Sequence, residues 1–150
     1  MLDGTDRSIL HQIQQNARKQ ITDIASAIGV SDNTVRNRLM SLEDEGVISG
    51  YSADISYDRA GIQHHYIFIC TASVSERSEL VEEVKEMGQV VEVTTLMTGR
   101  RNVLIRAVGD EKGAITELAM KIDSMGLEVV DEELIRDRHQ LSYAEFDQTS

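Results

Sequence analysis

The stretch from Ile21 to Leu42 constrains the fold of this chain most, because two helical patterns lie there with only a short turn between them. Gly29 follows the first pattern, where a helix end commonly needs a positive φ angle. Ser31 stands where the next helix needs an N-cap, since its hydroxyl can accept from a backbone N–H. The apolar residues that predict the two buried faces are Ile24, Ala25 and Ile28, then Val35, Leu39 and Leu42. Two helices joined by a short turn containing glycine predict a helix-turn-helix.

The second of these helices carries mainly polar side chains away from its apolar face. They are Asp32, Asn33, Thr34, Arg36, Asn37 and Arg38, together with Met40. Amide and guanidinium groups near a helix N-terminus suit base edges and phosphates in a DNA major groove. The alternative is the solvated surface of a small helical domain. The turn, the N-cap and the apolar face together favour the DNA-binding interpretation.

A third helix is predicted ahead of this pair, in residues 1–17, from apolar residues at helical spacing. Thr5 or Asp6 is expected to start it, since an acidic group there complements the helix dipole. The three helices predict a DNA-binding domain over residues 1–46, which Gly46 ends. Residues 47–63 are expected to form a linker strand or wing, followed by a turn around Gly61.

Residues 64–150 show a repeated order of strand and helix. Apolar runs and alternating patterns predict four strands, in residues 65–74, 90–97, 102–108 and 128–143. Helices are predicted over residues 76–87 and 111–125. The second and third strands are expected to form an antiparallel hairpin. The order βαββαβ is the ferredoxin-like pattern, so the predicted fold class is α+β.

The formal net charge of −11 needs an explanation in a DNA-binding chain, because phosphate contacts require a positive surface. Residues 1–50 hold seven acidic and five basic side chains, a net charge of −2, so the other 100 residues carry −9. The negative charge therefore lies mostly outside the predicted helix-turn-helix. Lysine is scarce, with four against eleven arginines. An acid-rich, lysine-poor surface suits a high-salt cytoplasm such as that of a halophilic archaeon.

The sequence contains no recognisable enzyme motif and no secretory or membrane-spanning segment. A soluble cytoplasmic protein without a membrane partner is therefore expected. His64 and His65 are adjacent and would point to opposite faces of a strand, and the lone Cys70 is expected to be buried. Because this spacing fits no structural zinc site, we predict no metal, no other cofactor and no catalytic residue.

The turn from Thr98 to Asn102 is the second candidate site. Gly99 suits a hairpin that requires a positive φ angle, and this structural role is one interpretation of the turn. Arg100 and Arg101 follow the glycine in a half of the chain that is otherwise strongly acidic. Two guanidinium groups at a hairpin tip could hold the carboxylate of a small ligand or pair with acidic residues of a neighbouring subunit. Both interpretations, structural and functional, remain open.

The N-terminal part of the chain, through the GY that follows the third helix, resembles Lrp/AsnC transcription regulators. The resemblance rests on an LDxxDxxIL start, on NAR before the second helix, and on a VSxxTVxxRLxxLExxGVIxGY run. The βαββαβ half is similar to the ligand-sensing domain of that family. The resemblance implies a homodimer in which the C-terminal sheets pack together and the linker strand pairs across subunits. It also implies further assembly into tetramers or octamers.

The same resemblance implies two sets of site residues. As DNA contacts it implies Ser31, Asn33, Thr34, Arg36, Asn37 and Arg38. For an amino-acid effector bound between dimers it implies Thr98, Gly99, Arg101 and Asn102, with Ser124 and Gly126 in the loop before the last strand. Family members that bind amino acids often carry G-x-Y/F-D at that turn, where this chain has Gly-Arg-Arg-Asn. Asn102 thus offers a carbonyl instead of a carboxylate to an α-ammonium group, and Arg101 would favour an acidic ligand.

We therefore predict a DNA-binding transcription regulator whose dimer places two recognition helices in successive major grooves of a pseudo-palindromic operator. Its C-terminal domain would sense a small effector, an amino acid or a related metabolite. One alternative is an enzyme of tetrapyrrole metabolism, similar to sirohaem decarboxylases, in which Arg100, Arg101, His64 and His65 hold propionates. Another is an architectural protein that binds DNA with little sequence preference.

Overall fold

The computed structural model describes residues 1–148, which divide into two compact units. The first unit combines residues 1–53 with the segment that starts at His139, and the second contains residues 54–138. The chain therefore contributes to the first unit twice, once from each end of the described range. Residues 149 and 150, the end of the predicted domain 64–150, lie outside the described residues.

Three helices form most of the first unit: α1 (Gly4–Gln15), α2 (Ile21–Ile28) and α3 (Asp32–Asp44). The start of α1 differs from the prediction of Thr5 or Asp6, because Asp3 is the N-cap. Its carboxylate accepts from the backbone N–H of Asp6 at 2.9 Å, while the Asp6 carboxylate accepts from the backbone N–H of Asp3 at 3.3 Å. This reciprocal pair is a capping box, which satisfies two backbone donors at the helix start.

One apolar cluster holds the three helices together. Its buried members are Ile9, Leu10, Ile24, Ala25, Val35 and Leu42, and Ile28 and Leu39 pack against them partly buried. The predicted apolar faces of α2 and α3 are therefore confirmed. Gly29 ends α2 with a φ angle of 79°, as its position predicted.

The segment that leaves α3 does not form the predicted linker strand or wing. Within the described chain, residues 49–56 belong to no strand, although the expected turn follows, with Gly61 at a φ angle of 87°. Near the start of this segment, the Tyr51 hydroxyl donates to Glu43 at 3.1 Å. A β-strand needs a neighbouring backbone to bond, and a single chain supplies none here.

The second unit is an antiparallel sheet with two helices on one face. Its elements are β1 (His64–Thr71), α4 (Arg77–Lys85), β2 (Val90–Thr95), β3 (Val103–Gly109), α5 (Lys112–Ser124) and β4 (Glu128–Leu134). The strand order is β2-β3-β1-β4, and β2 pairs with β3 in the predicted hairpin. The α+β class and the βαββαβ order are therefore confirmed. The last strand ends at Leu134, nine residues short of the predicted end at Tyr143.

The core of the second unit lies between the sheet and its two helices. The sheet contributes Phe68, Cys70, Val103, Ile105 and Ala107, and the helices contribute Leu80, Val81, Val84, Ile115, Leu118 and Ile122. Cys70 is fully buried, as predicted. Since successive strand residues face opposite ways, Ile67, Ile69 and Leu104 lie on the other face of the sheet, where they are only partly buried.

Residues 139–148 belong with the first unit and pack on α1, whereas the predicted domain 64–150 included them. A short 3-10 helix forms at Ala144–Phe146, and Phe146 packs against the apolar cluster of the first unit. The backbone N–H of Tyr143 donates to the side-chain oxygen of Gln14 at 3.2 Å. Two aromatic residues in a polar segment are too few to define a periodicity, so the sequence pattern could not predict this packing.

Candidate nucleic-acid interface and effector turn

Ser31 and Thr34 fix the start of α3. The Ser31 hydroxyl accepts from the backbone N–H of Thr34 at 3.1 Å, which confirms the predicted N-cap. The two hydroxyl oxygens lie 2.9 Å apart and share a hydrogen bond. Both residues stand at the helix N-terminus, whose dipole favours anions such as phosphate.

Asn33, Arg36 and Asn37 form an exposed polar face on α3. The Arg36 guanidinium donates to the side-chain oxygen of Asn33 at 3.0 Å, so residues three apart on the helix orient each other. Two amides and one guanidinium on a single face provide the donors and acceptors that read base edges. Arg36 and Asn37 extend this surface one turn beyond the helix start.

Arg38 makes contacts with α1 that were not predicted. Its guanidinium lies 2.6 Å from Asp3 and 3.1 Å from Asp6, both at the start of α1. The pKa of Asp3 is lowered by the backbone N–H of Asp6 and by the Arg38 guanidinium, and these carboxylates raise the pKa of Arg38. Arg38 is therefore a positioning residue that ties α3 to α1, and its predicted contact with DNA stays a prediction.

A polar cleft between α1 and α2 contains two basic residues that were not predicted as site residues. Arg18 and Lys19 line it, together with Gln12, Gln15, Asn16, Gln20 and Asp23. The Lys19 ammonium donates to the side chain of Gln12. The signal available in the sequence was the position of these two bases directly before the helix-turn-helix.

Asn102 is a structural residue in this fold. It is 5% exposed, its side-chain oxygen accepts from the backbone N–H of Ala72 at 2.9 Å, and its amide donates to the Ala72 carbonyl at 2.9 Å. Its own backbone N–H donates to the Cys70 carbonyl at 3.0 Å. Asn102 thus closes the sheet where β1 ends and β3 begins. This structural role was not predicted, and the predicted contact of the Asn102 carbonyl with an effector stays a prediction.

The rest of the β2–β3 turn is exposed. Gly99 has a φ angle of 94°, which confirms the expected positive value. Thr98 and Arg100 face solvent. The Arg101 guanidinium, with 60% of its side chain exposed, lies 3.0 Å from Asp131 on β4. Asp131 is thus its acidic partner within the chain, while pairing with a neighbouring subunit stays a prediction.

Ser124 and Gly126 lie at the end of α5 and in the turn that follows it. The Ser124 hydroxyl donates to the Lys121 carbonyl at 2.9 Å, one turn back on the helix. Gly126 has a φ angle of 113°, and a Cβ there would lie 3.8 Å from the Leu80 side chain. Both residues are exposed, and their predicted contact with an effector stays a prediction.

A charged cluster on the open face of the sheet was not predicted. Arg106, 9% exposed, lies 2.9 Å from His65 and donates to Glu92 at 3.1 Å. Arg138 lies 3.7 Å from the same Glu92. Because a guanidinium can only donate, His65 accepts and is neutral; burial and the two arginines lower its pKa. Arg106 lowers the pKa of Glu92. The signal in the sequence was an arginine inside the apolar strand β3.

No group of three or more His, Cys, Asp or Glu side chains among residues 1–148 is arranged to hold a metal ion. No helix in this range has the length and apolar character needed to cross a membrane. Burial raises the pKa of the Cys70 thiol to about 12.

A family profile described as winged helix-turn-helix DNA-binding matches residues 2–49. The transcriptional regulator Ptr1 of Methanocaldococcus jannaschii is 34% identical over 93 residues, which cover 62% of this chain and 63% of Ptr1. The regulator LrpA of Pyrococcus horikoshii is 35% identical over 57% of this chain and 58% of its own. These matches span less than two thirds of either relative. An uncharacterized HTH-type transcriptional regulator of Pyrococcus abyssi is 30% identical over 83% of this chain and 80% of its own.

Solved structures match the chain over nearly its whole length. Escherichia coli AsnC is 20% identical, with a TM-score of 0.72 and coverage of 97% of this chain and 99% of AsnC. A Neisseria meningitidis transcriptional regulator in complex with L-Met is 21% identical, with a TM-score of 0.78 and coverage of 95% and 96%. At this level of identity the likeness shows the fold alone. The P. abyssi relative, together with Ptr1 and LrpA, shows that the chain belongs to the Lrp/AsnC family of helix-turn-helix transcription regulators.

Proposed function

We propose that this chain is a DNA-binding transcription regulator that reads its operator with α3. The observation that carries the proposal is the exposed face of Asn33, Arg36 and Asn37 on a helix whose position is fixed from two sides. The Ser31 cap fixes its start, and the pairs of Arg38 with α1 fix its middle. A helix held this way can enter a major groove without losing its orientation. Such a regulator works in the cytoplasm, on the DNA that it controls.

The proposed reader is a homodimer that assembles further into a tetramer or octamer. Only five basic side chains lie in residues 1–50, so one copy would neutralise few phosphates and bind weakly. Two features support pairing between chains: the partly buried aliphatic residues Ile67, Ile69 and Leu104 on the open sheet face, and residues 49–56, which form no strand in a single chain. Two copies would place two α3 helices on half-sites about 34 Å apart.

The proposal is tested by selecting genomic DNA fragments with purified protein and then titrating an operator and a random duplex. Arg36→Ala is expected to weaken operator binding by about 1–3 kcal/mol and random binding much less, if Arg36 reads a base. The matched control is Arg59→Ala, which removes the same charge from an exposed turn of the second unit.

Three results would contradict this assignment in different ways. Equal losses on both duplexes would make Arg36 a phosphate contact only. Wild-type binding without any preferred site would favour an architectural protein. Purified protein that retains a coloured tetrapyrrole would favour an enzyme.

We also propose that the second unit binds a small effector, an amino acid or a related metabolite, at the exposed tip of the β2–β3 turn. The relative from N. meningitidis was crystallised with L-Met, which supports this class of ligand. Thr98, Gly99 and Arg101 are the proposed contacts there, with Ser124 and Gly126 from the α5–β4 loop. Arg101 could exchange its exposed bond to Asp131 for a ligand carboxylate, because both are charge-assisted contacts of the same type.

Calorimetric titration with a panel of L-amino acids tests the effector site. Arg101→Ala is expected to lower the affinity for the ligand by about tenfold or more, because one charge-assisted hydrogen bond is lost. Arg136→Ala is the control, since 97% of its side chain is exposed. Equal effects of the two substitutions would place the effector elsewhere, and the absence of binding by every member of the panel would exclude an unmodified amino acid.

A further inference from the structure

The outer edge of α1 is an interaction surface, and the segment that occupies it is residues 139–148 of the same chain. Phe146 leaves solvent to pack against the apolar cluster that also holds Ile9 and Ile24. Its ring meets Tyr143 edge-on, with centroids 4.9 Å apart. The aromatic pair thus adds apolar area to a unit whose buried core is small.

Polar contacts follow the segment along one face of α1. The backbone N–H of Tyr143 donates to Gln14 at 3.2 Å, and His11 lies 3.8 Å from the Asp147 carboxylate. The side chain of Gln148 lies 3.9 Å from the position of a Cβ on Gly4. The helix residues touched are 14, 11 and 4, which share a face because they are three and seven apart. The segment therefore runs antiparallel to α1 over most of the helix.

The helix that this segment covers also positions the recognition helix. Asp3 and Asp6, at the start of α1, hold the Arg38 guanidinium of α3. A displacement of α1 would therefore break the bonds that orient α3. The exposed residues Arg36 and Asn37 lie on α3, whereas the segment contacts Gln14 and His11 of α1.

We infer that residues 139–148 are an integral part of the DNA-binding unit, a strap that holds α1 and thereby orients α3. The strap begins at His139, directly after Arg138, the last residue of the second unit. The DNA-binding unit is thus joined to the second unit by two chain connections, after Ala53 and after Arg138. Only the consequence for DNA affinity rests on the proposed function; the structural claim does not.

Hydrogen exchange of the full chain tests the strap. In Phe146→Ala, the amides of α1 are expected to exchange about tenfold faster, because a partly buried aromatic contact is lost. A chain that stops after Arg138 is expected to lose more protection. Leu141→Ala is the matched control, since Leu141 is 84% exposed in the same segment. The amides of β1 and β3 should keep their protection in all variants.

Unchanged exchange of α1 in both Phe146→Ala and the shortened chain would overturn the inference. Loss of protection in β1 and β3 of Phe146→Ala would also overturn it, because the effect would then be general unfolding. In the DNA assay, Phe146→Ala is expected to bind the operator about tenfold less tightly. If the wild-type protein binds no operator, the proposed function fails while the exchange result still decides the strap.

A crosslink identifies which copy supplies the strap. Cysteines at Gln14→Cys and Tyr143→Cys are expected to be joined within one chain by a flexible bismaleimide reagent, because the backbone N–H of Tyr143 lies 3.2 Å from the side-chain oxygen of Gln14. The native Cys70 can stay in place because it is fully buried. A crosslink between two chains would overturn the assignment of the strap to its own chain.

Discussion

The polar residues of α3 and those of the β2–β3 turn have a similar sequence pattern, but their side chains differ in burial and in contacts. Both follow a glycine with a positive φ angle, Gly29 in one case and Gly99 in the other. On α3, Asn37 is exposed on the face away from the core. In the turn, Asn102 is buried and holds both backbone groups of Ala72.

The difference between these two asparagines depends on what surrounds them. A helix bonds its own backbone, so a polar side chain on its outer face is not needed for folding and can serve binding. A strand end leaves backbone groups that only another residue can bond, and a buried group without a partner costs free energy. Asn102 satisfies such groups, so its amide is committed to the fold.

The strongest test of the closed sheet end is the reactivity of Cys70, whose carbonyl accepts the Asn102 N–H. Burial raises the pKa of this thiol to about 12, so at pH 8 its thiolate fraction is expected to be about a thousandfold below that of an ordinary thiol. Alkylation by iodoacetamide should therefore be very slow in the native protein and fast in denaturant. Rapid alkylation of the native protein would contradict a closed sheet end.

The same raised pKa predicts a loss of stability at alkaline pH. The folded state keeps the Cys70 proton that the unfolded chain releases near the ordinary value of 9.0. Its contribution is therefore complete below that pH and decreases as the pH rises toward about 12.

Asn102→Ala is expected to destabilise the second unit by about 2–4 kcal/mol, because the buried N–H and C=O of Ala72 would both lose their partner. Asn37→Ala, the same chemical change on α3, is expected to alter stability by less than about 0.5 kcal/mol. Urea unfolding of both variants compares them directly. Equal losses in the free energy of unfolding would contradict a structural role for Asn102 that Asn37 does not share.

Ser31→Ala is expected to cost about 1 kcal/mol in the free energy of unfolding, since the backbone N–H of Thr34 loses the cap hydroxyl. Ser41→Ala is the control, because Ser41 is exposed within the same helix. A similar cost at both positions, measured by urea unfolding, would show that the cap is not what fixes the start of α3.

The pair of Arg38 with Asp3 is expected to give the smallest effect, one that depends on pH and salt. The pKa of Asp3 is lowered in the folded state, so its contribution is present above the usual value of 3.8 and is lost as the pH falls through the lower folded value. Thermal unfolding should show Arg38→Gln less stable than wild type at pH 7 and equally stable in strong acid. A difference that persists in acid would assign the role of Arg38 to packing.

The parts of the fold that the sequence predicted depend on neighbours close in the chain. The apolar face of Ile24 and Ala25, the cap at Ser31 and the turn at Gly29 each involve residues no more than a few positions apart. The order of strands and helices follows from the same kind of pattern.

The parts that were missed depend on contacts between distant residues. The partners of Asn102, Arg38 and Arg106 lie 30, 35 and 41 residues away, and the contact of Tyr143 with Gln14 spans 129. Sequence periodicity does not reveal such a distant partner. A polar residue that closes a sheet therefore cannot be distinguished, from the sequence pattern, from one that binds a ligand. The helix cap and apolar faces around α3 were therefore predicted more completely than the side-chain contacts of the β2–β3 turn.

The contact of Phe146 with the first unit sets an order of events during synthesis. Residues 1–53 leave the ribosome before residues 139–148, which follow only after the whole second unit has been made. A chain interrupted within the second unit would therefore carry α3 without the segment that packs on α1. The three-helix unit is thus completed only after the second unit has been synthesised.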